Sequence, residues 1–257
     1  IVYSTSGGLY WIENNGAGSF STSATALTTS FAPEFLELAD LDGDGSYEIV
    51  GGINSWSFGS TANAASYLKR NGTSFDLWPL FQTGSGSGSA TLLGIKFGDW
   101  NDNGYMDMFA AFSNRNVDVF ENPAYESYYS DTSNISDKDK WTTRTVLTSP
   151  AQISDWDVGD VDKDGLADVV IAPYQYSGIS IHYYRNRGTS SWTRYNVVSY
   201  TVYYPRAVSL VDLNGDGNLD VFYSSGTYYW NNRVGWSRNG GNPNRNSWPS
   251  TDLMSGN

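Results

Sequence analysis

Four short stretches of this chain carry acidic or amide side chains at loop positions 1, 3, 5 and 9 and a glycine at position 6. They are Asp40, Asp42, Asp44, Gly45, Glu48; Asp99, Asn101, Asn103, Gly104, Asp107; Asp160, Asp162, Asp164, Gly165, Asp168; and Asp212, Asn214, Asp216, Gly217, Asp220. Side chains at alternate positions of a tight turn converge on one point, and the glycine permits the reversal. The residue at position 7 (Ser46, Tyr105, Leu166 or Asn218) is expected to add its backbone carbonyl oxygen. An all-oxygen loop of this kind suits Ca²⁺. Magnesium demands stricter octahedral geometry, and zinc would ask for Cys or clustered His, which the chain lacks.

The loops begin 59, 61 and 52 residues apart, which makes them marks of an internal repeat. EF-hands use similar spacing but need a carboxylate at position 12 between two helices. Here that position holds Gly51, Ala110, Ile171 and Tyr223. The flanking runs, such as Phe35-Leu36-Glu37-Leu38 before a loop and Asp168-Val169-Val170-Ile171 after one, are short, apolar and β-branched, so each loop is expected to join two strands of a hairpin. A third strand follows in each unit, over Leu9–Asn14, Ala65–Asn71, Val117–Asn122, Ile181–Asn186 and Val234–Asn239, each ending in Glu-Asn or Arg-Asn. Fourth strands are expected at Ser19–Ser21, Trp141–Val146 and Trp192–Val197.

Repeats of four antiparallel strands at this period predict an all-β chain of β-propeller blades. The Asp-x-Asp-x-Asp-Gly-x-x-Asp loops, with Trp11-Ile12-Glu13-Asn14-Asn15-Gly16-Ala17-Gly18-Ser19-Phe20, resemble FG-GAP/VCBS repeats, known from integrin α subunits, bacterial surface proteins and fungal propeller lectins. The resemblance implies about four bound Ca²⁺ ions, one per loop. Five repeats are read, over 1–33, 34–90, 91–150, 151–204 and 205–257, as one propeller domain. Ile1 aligns just beyond the point where a fifth loop would end, so the first blade is expected to lack its inner strand and the chain to be part of a longer one.

A net charge of −12 argues against nucleic acid as a partner, since phosphate binding needs a basic surface. The loops supply 13 carboxylates at ligand positions, and four divalent cations would bring the charge to about −4. No run approaches the roughly 18 apolar residues of a membrane span. With no cysteines, neither disulfides nor a thiol nucleophile enters the reading.

If the calcium loops lie on one face, the opposite face is expected to gather Trp56, Phe58, Tyr174, Tyr176, Tyr200, Tyr203, Tyr204, Tyr228, Tyr229 and Trp230. Of these, Trp56, Phe58, Tyr174, Tyr176, Tyr203, Tyr204, Tyr229 and Trp230 are the candidates for contacting a ligand, since such rings stack on sugars or dock protein partners. His182, the single histidine, lies in a strand and reads as a packed structural residue, so no catalytic residue is assigned. Asn71 and Asn134 head acceptable N-glycosylation tripeptides. Loops of this type suit millimolar extracellular calcium. The expectation is therefore a non-catalytic recognition or adhesion module at the cell surface or outside the cell, binding carbohydrate or another protein. A structural subunit that self-assembles and a polysaccharide lyase-like enzyme are the alternatives. The Asp99 loop, with two carboxylates, is expected to bind calcium most weakly, and Asp102 to point away from its metal.

Overall fold

The computed structural model describes residues 1–53, 64–72, 74–82, 90–123, 141–174, 181–188, 191–198, 202–226 and 232–256. Regular structure among them is all β. Strands β1 (Val2–Thr5), β2 (Gly8–Trp11) and β3 (Thr25–Thr28) form a three-stranded sheet. Four-stranded sheets follow: β4 (Phe35–Ala39), β5 (Glu48–Ile53), β6 (Ala64–Asn71) and β7 (Ser74–Gln82); then β8 (Leu92–Gly98), β9 (Asp107–Phe112), β10 (Asn116–Glu121) and β11 (Thr142–Thr148). The last two are β12 (Gln152–Gly159), β13 (Asp168–Tyr174), β14 (His182–Asn186), β15 (Trp192–Asn196), and β16 (Pro205–Val211), β17 (Asp220–Ser225), β18 (Asn232–Ser237), β19 (Ser250–Gly256). In every sheet the strands lie in chain order and each pairs with its predecessor, which is the build of a propeller blade.

Each acidic loop joins the first strand of a sheet to the second, as the sequence predicts. The second strands read Glu48-Ile-Val-Gly-Gly-Ile, Asp107-Met-Phe-Ala-Ala-Phe and Asp168-Val-Val-Ile-Ala-Pro-Tyr, and they are buried along nearly their whole length. Continuous apolar runs suit strands covered on both faces, and they hold the loop ends in a fixed place. Among the described residues the first sheet has three strands, in the order β1, β2, β3.

Two sequence expectations are corrected. The third strand of the first sheet is β3 at Thr25–Thr28, while Ser19–Ser21 contributes only an isolated bridge between Phe20 and Asn14. The intervening turn is occupied by its own contacts: the Asn15 side chain accepts the N–H groups of Ala17 and Ser19 and so curls the chain away from the sheet. The second correction concerns register. Ile49 pairs with Leu68, Met108 with Phe120, Val169 with Tyr184 and Val221 with Ser237, which makes Lys69, Glu121, Arg185 and Arg238 equivalent. The residues after them are Arg70, Asn122, Asn186 and Asn239, so the Asn71 of the Arg-Asn ending stands one place beyond its apparent counterparts.

Residues Ile1–Ile95 with Asn122–Thr142 make one compact unit, and Lys96–Glu121 with Thr143–Asn257 a second. The first has a core around Leu9, Phe31, Ile49 and Leu68. In the second, Tyr183 stacks on Tyr195 at 5.7 Å between ring centres and meets Trp248 at 5.8 Å, within a cluster that includes Val170, Val208 and Tyr223. Aromatic rings such as these are spent on packing between strands.

Candidate functional site

The four loops share one hydrogen-bond scheme. The first carboxylate accepts the N–H of position 5 at 3.1 to 3.2 Å and, through its other oxygen, the N–H of the glycine at position 6 at 2.7 to 3.0 Å. The side chain at position 5 accepts the N–H of position 7. Every position-6 glycine has a φ between 81° and 90°, where an L side chain is strained. Position 4 is left-handed too, and the chain meets this need in two ways: Gly43 and Gly215 in two loops, Asp102 and Lys163, at φ 59° and 62°, in the others. That demand is invisible in the motif because position 4 has no shared residue type.

The ninth carboxylates are the most deeply placed. Glu48 is 2% exposed and Asp107, Asp168 and Asp220 are 0% exposed, and each accepts the N–H of position 2 in its own loop. Burial pushes Glu48 up to about 7, with the charges of Asp44 and Asp40 adding to it, and Asp168 also rises to about 7, chiefly by burial. Asp220 and Asp162 shift upward as well, again mainly through burial. A carboxylate that is costly to ionise in a site crowded with like charge is one that a cation stabilises.

Position 2 is fastened from outside its own sheet. The side-chain amide of Asn122 donates to Leu41 O at 2.8 Å, that of Asn186 to Trp100 O at 2.7 Å, and that of Asn239 to Val161 O at 2.9 Å. Each of these asparagines comes from the sheet that follows the loop it holds. All three are buried, whereas Arg70 at the equivalent place is exposed. The sheet before Arg70 is the three-stranded one, and among the described residues it carries no acidic loop.

This arrangement has a known counterpart. A family model described as FG-GAP-like repeat matches residues 1–51 and 160–223, stretches that contain the loops at Asp40, Asp160 and Asp212. Those two stretches are similar to FG-GAP-like repeats. No match to the chain was found among curated proteins. FG-GAP repeats bind calcium and typically occur in extracellular or surface proteins. Among the described residues, no helix is long and apolar enough to cross a membrane.

The acidic loops of this chain fit a cation in detail. One oxygen from each of Asp40, Asp42 and Glu48 lies within 4.8 Å of the others, and the same holds for Asp160, Asp162 and Asp168. Oxygens around Ca²⁺ sit at about 2.3–2.6 Å from the ion, so this spacing lets three converge on one. The side chain of Asp162 is 3% exposed, yet its Oδ1 has no hydrogen-bond partner among the described residues; Asn101 Oδ1, also at position 3, is likewise buried and without one. A buried oxygen left without a donor is costly, and a metal satisfies it. Residues Ser46, Tyr105, Leu166 and Asn218 stand where the backbone turns after the glycine. Asp102 lies against the neighbouring loop, where its Oδ1 is 3.0 Å from the place a Cβ would occupy on Gly165.

Of the expected ligand-face residues, Trp56, Phe58, Tyr176, Tyr200, Tyr228, Tyr229 and Trp230 lie outside the described residues. Tyr174 and Tyr204 come together, with ring centres 5.5 Å apart, and the Arg206 guanidinium lies over both, at 5.4 and 6.0 Å. Strand β13 runs from the Asp160 loop at one end to Tyr174 at the other, so the cluster is at the end of its sheet remote from the loop. Tyr174 is 44% exposed and Tyr203 39%. Tyr204 holds a φ of 49°, and the N–H of Gly226 donates to the carbonyls of both Tyr203 and Tyr204. Arg206 joins the ring cluster, a partner the sequence reading did not name because Arg206 carries no motif.

His182 is buried in β14, edge-on to Tyr184 with ring centres 6.0 Å apart, and burial pushes its imidazole down to about 4, helped by the positive charge of Arg194. The Asn71 amide donates to Asp76 at 2.9 Å in an exposed turn; Asn134 lies outside the described residues.

Proposed function

We propose that this chain is an extracellular, calcium-stabilised recognition module without catalytic activity, which binds carbohydrate at the ends of its sheets remote from the metal loops. The cluster of exposed Tyr174 and Arg206 with half-buried Tyr204 is the observation that carries the ligand side of this reading. Aromatic rings present flat apolar faces to the C–H groups of a sugar, and a guanidinium adds several directed donors for its hydroxyls. The left-handed Tyr204 supports it further, because a bulky residue held at positive φ stores backbone strain, and such strain gathers at ligand sites. The metal side rests on the converging carboxylates of the Asp40 and Asp160 loops.

In this reading the metals do not touch the ligand. They fix the loops between first and second strands, and the opposite ends of those strands present the rings. A glycan array probed in millimolar calcium and in chelator tests both parts. Binding to a defined sugar that is lost in Tyr174→Ala supports the reading. Absence of any glycan binding, with polymers forming as concentration rises, would favour a structural subunit instead.

A further inference from the structure

We propose that the residue which the register places at Lys69, Glu121, Arg185 and Arg238, at or near the end of each third strand, sets the cation affinity of its loop, and that Glu121 supplies the Asp99 loop with the carboxylate that loop lacks. This rests on the calcium reading above and adds a residue to it that lies outside the loop motif.

The strand register makes Lys69, Glu121, Arg185 and Arg238 equivalent. Each reaches over its own loop. Lys69 pairs with Asp42 and, at 3.6 Å, with Asp44. Arg185 pairs with Asp162 at 2.5 Å and Asp164 at 2.9 Å, and Arg238 with Asp216 at 3.3 Å. These are loop positions 3 and 5. Glu121 addresses the same place: its Oε1 accepts the side-chain N–H of Asn101, at position 3, at 2.8 Å.

The sign at this place follows the loop it covers. The Asp40 and Asp160 loops each offer four carboxylates and receive one basic residue, which leaves each at a net −3. The Asp99 loop offers two, and Glu121 brings it to −3. The Asp212 loop, with three carboxylates and Arg238, stands at −2. Four loops whose motif charges run from two to four are thereby drawn into a narrow range. Arg144, about as exposed as Arg238, approaches the far oxygen of Glu121 at 3.3 Å, and counting it puts the Asp99 loop at −2, level with the Asp212 loop and still inside that range.

The hydrogen bond from Asn101 to Glu121 also orients the amide. With its nitrogen committed to Glu121, the oxygen of Asn101 is the buried atom left without a donor, and it is the atom that a cation takes. A loop built on asparagine therefore gains both a carboxylate and a fixed amide orientation from one third-strand residue.

Terbium, a calcium substitute whose emission is excited through a nearby tryptophan, reads the Asp99 loop because Trp100 occupies position 2 of that loop alone. Calcium then displaces it to give the Ca²⁺ affinity. In the full chain, Glu121→Gln is expected to weaken the Trp100-sensitised site by about tenfold, the scale of one unit charge beside a partly solvated divalent ion. Glu121→Lys should weaken it further and still fold, since the other three repeats carry Lys or Arg there. Arg185→Gln should tighten one other site in calcium titration calorimetry. Unchanged affinity at the Trp100 site in Glu121→Gln, or a weaker site in Arg185→Gln, would overturn the inference while leaving calcium binding intact. If the unaltered chain binds neither ion, the calcium reading falls and this inference falls with it.

Discussion

Asn186 shows how much one residue carries in this chain. Its backbone N–H donates to Asp168, its side-chain nitrogen to Trp100 O and Ala167 O, and its side-chain oxygen accepts the N–H of Gly188. Asn186→Ala removes the three side-chain bonds and leaves buried backbone groups without partners, so chemical denaturation should show a loss of about 2–4 kcal/mol. Asn71→Ala, in an exposed turn, should change stability by less than about 0.5 kcal/mol. The two asparagines look alike in sequence, each closing a third strand, and only the strand register separates them. A similar contrast holds inside the Asp160 loop. Gly165→Ala forces a methyl group onto a φ of 90° and should cost about 1–2 kcal/mol, whereas Lys163→Gly relieves a left-handed lysine at the cost of chain entropy and should stay within about 1 kcal/mol of the original.

At the scale of the strand, β14 carries a charge-sensitive group in its buried face. The folded value of His182, about 4, lies below the value of 6.5 for a free imidazole. Its contribution to stability is therefore fully present above about pH 6.5 and is lost as pH falls toward 4, because the unfolded chain takes up the proton first. The loss should reach roughly 3 kcal/mol at most, and His182→Gln should flatten that part of the stability profile measured by urea unfolding at stepped pH. Strand β16 shows a second device. Its outward N–H groups at Val208 and Leu210 are met by Asp155 and Asp157 of β12, two carboxylates at the same two-residue spacing. An edge strand whose donors are already taken is a poor template for an added strand.

Strand order and loop placement were legible in the sequence because period and turn chemistry are local: Asp, Gly and short apolar runs announce themselves. The start of β3 was not, because Asn15 captures the nearby backbone in a turn of its own. The loops could be found but not their fastenings. Residues Asn122, Asn186 and Asn239 act on carbonyls 78 to 86 residues away, and Glu121 meets Asn101 through a side-chain hydrogen bond across 20 residues. No local pattern encodes a partner that the fold itself selects. The ring cluster was read in part, Tyr174 and Tyr204 from topology, with Arg206 apparent only in three dimensions.

For the whole molecule, the calcium reading has metal and pH acting on the same carboxylates. In metal-free protein, Glu48 and Asp168 have folded values near 7, above their ordinary values of 4.5 and 3.8. The contribution of such groups is present below the unfolded value and is lost as pH rises through about 7, so metal-free protein should be least stable above neutrality. Calcium, which binds the ionised form, should stabilise it most there. Melting temperatures measured with calcium and with chelator should diverge as pH rises from about 5 to 7.5; curves that stay together across that range would count against metal in these loops.

The asparagine that holds each of the first three loops belongs to the sheet after it. A segment cut out from the first strand to the fourth would take its loop along and leave the clasp behind, while bringing a clasp shaped for a loop it has left. The portion of chain that folds as a sheet and the portion that must be copied to build a working neighbour are thus out of step. Duplication, grafting or swapping of these segments will succeed only when the cut falls after the third strand of the following sheet, so that loop and clasp travel as a pair.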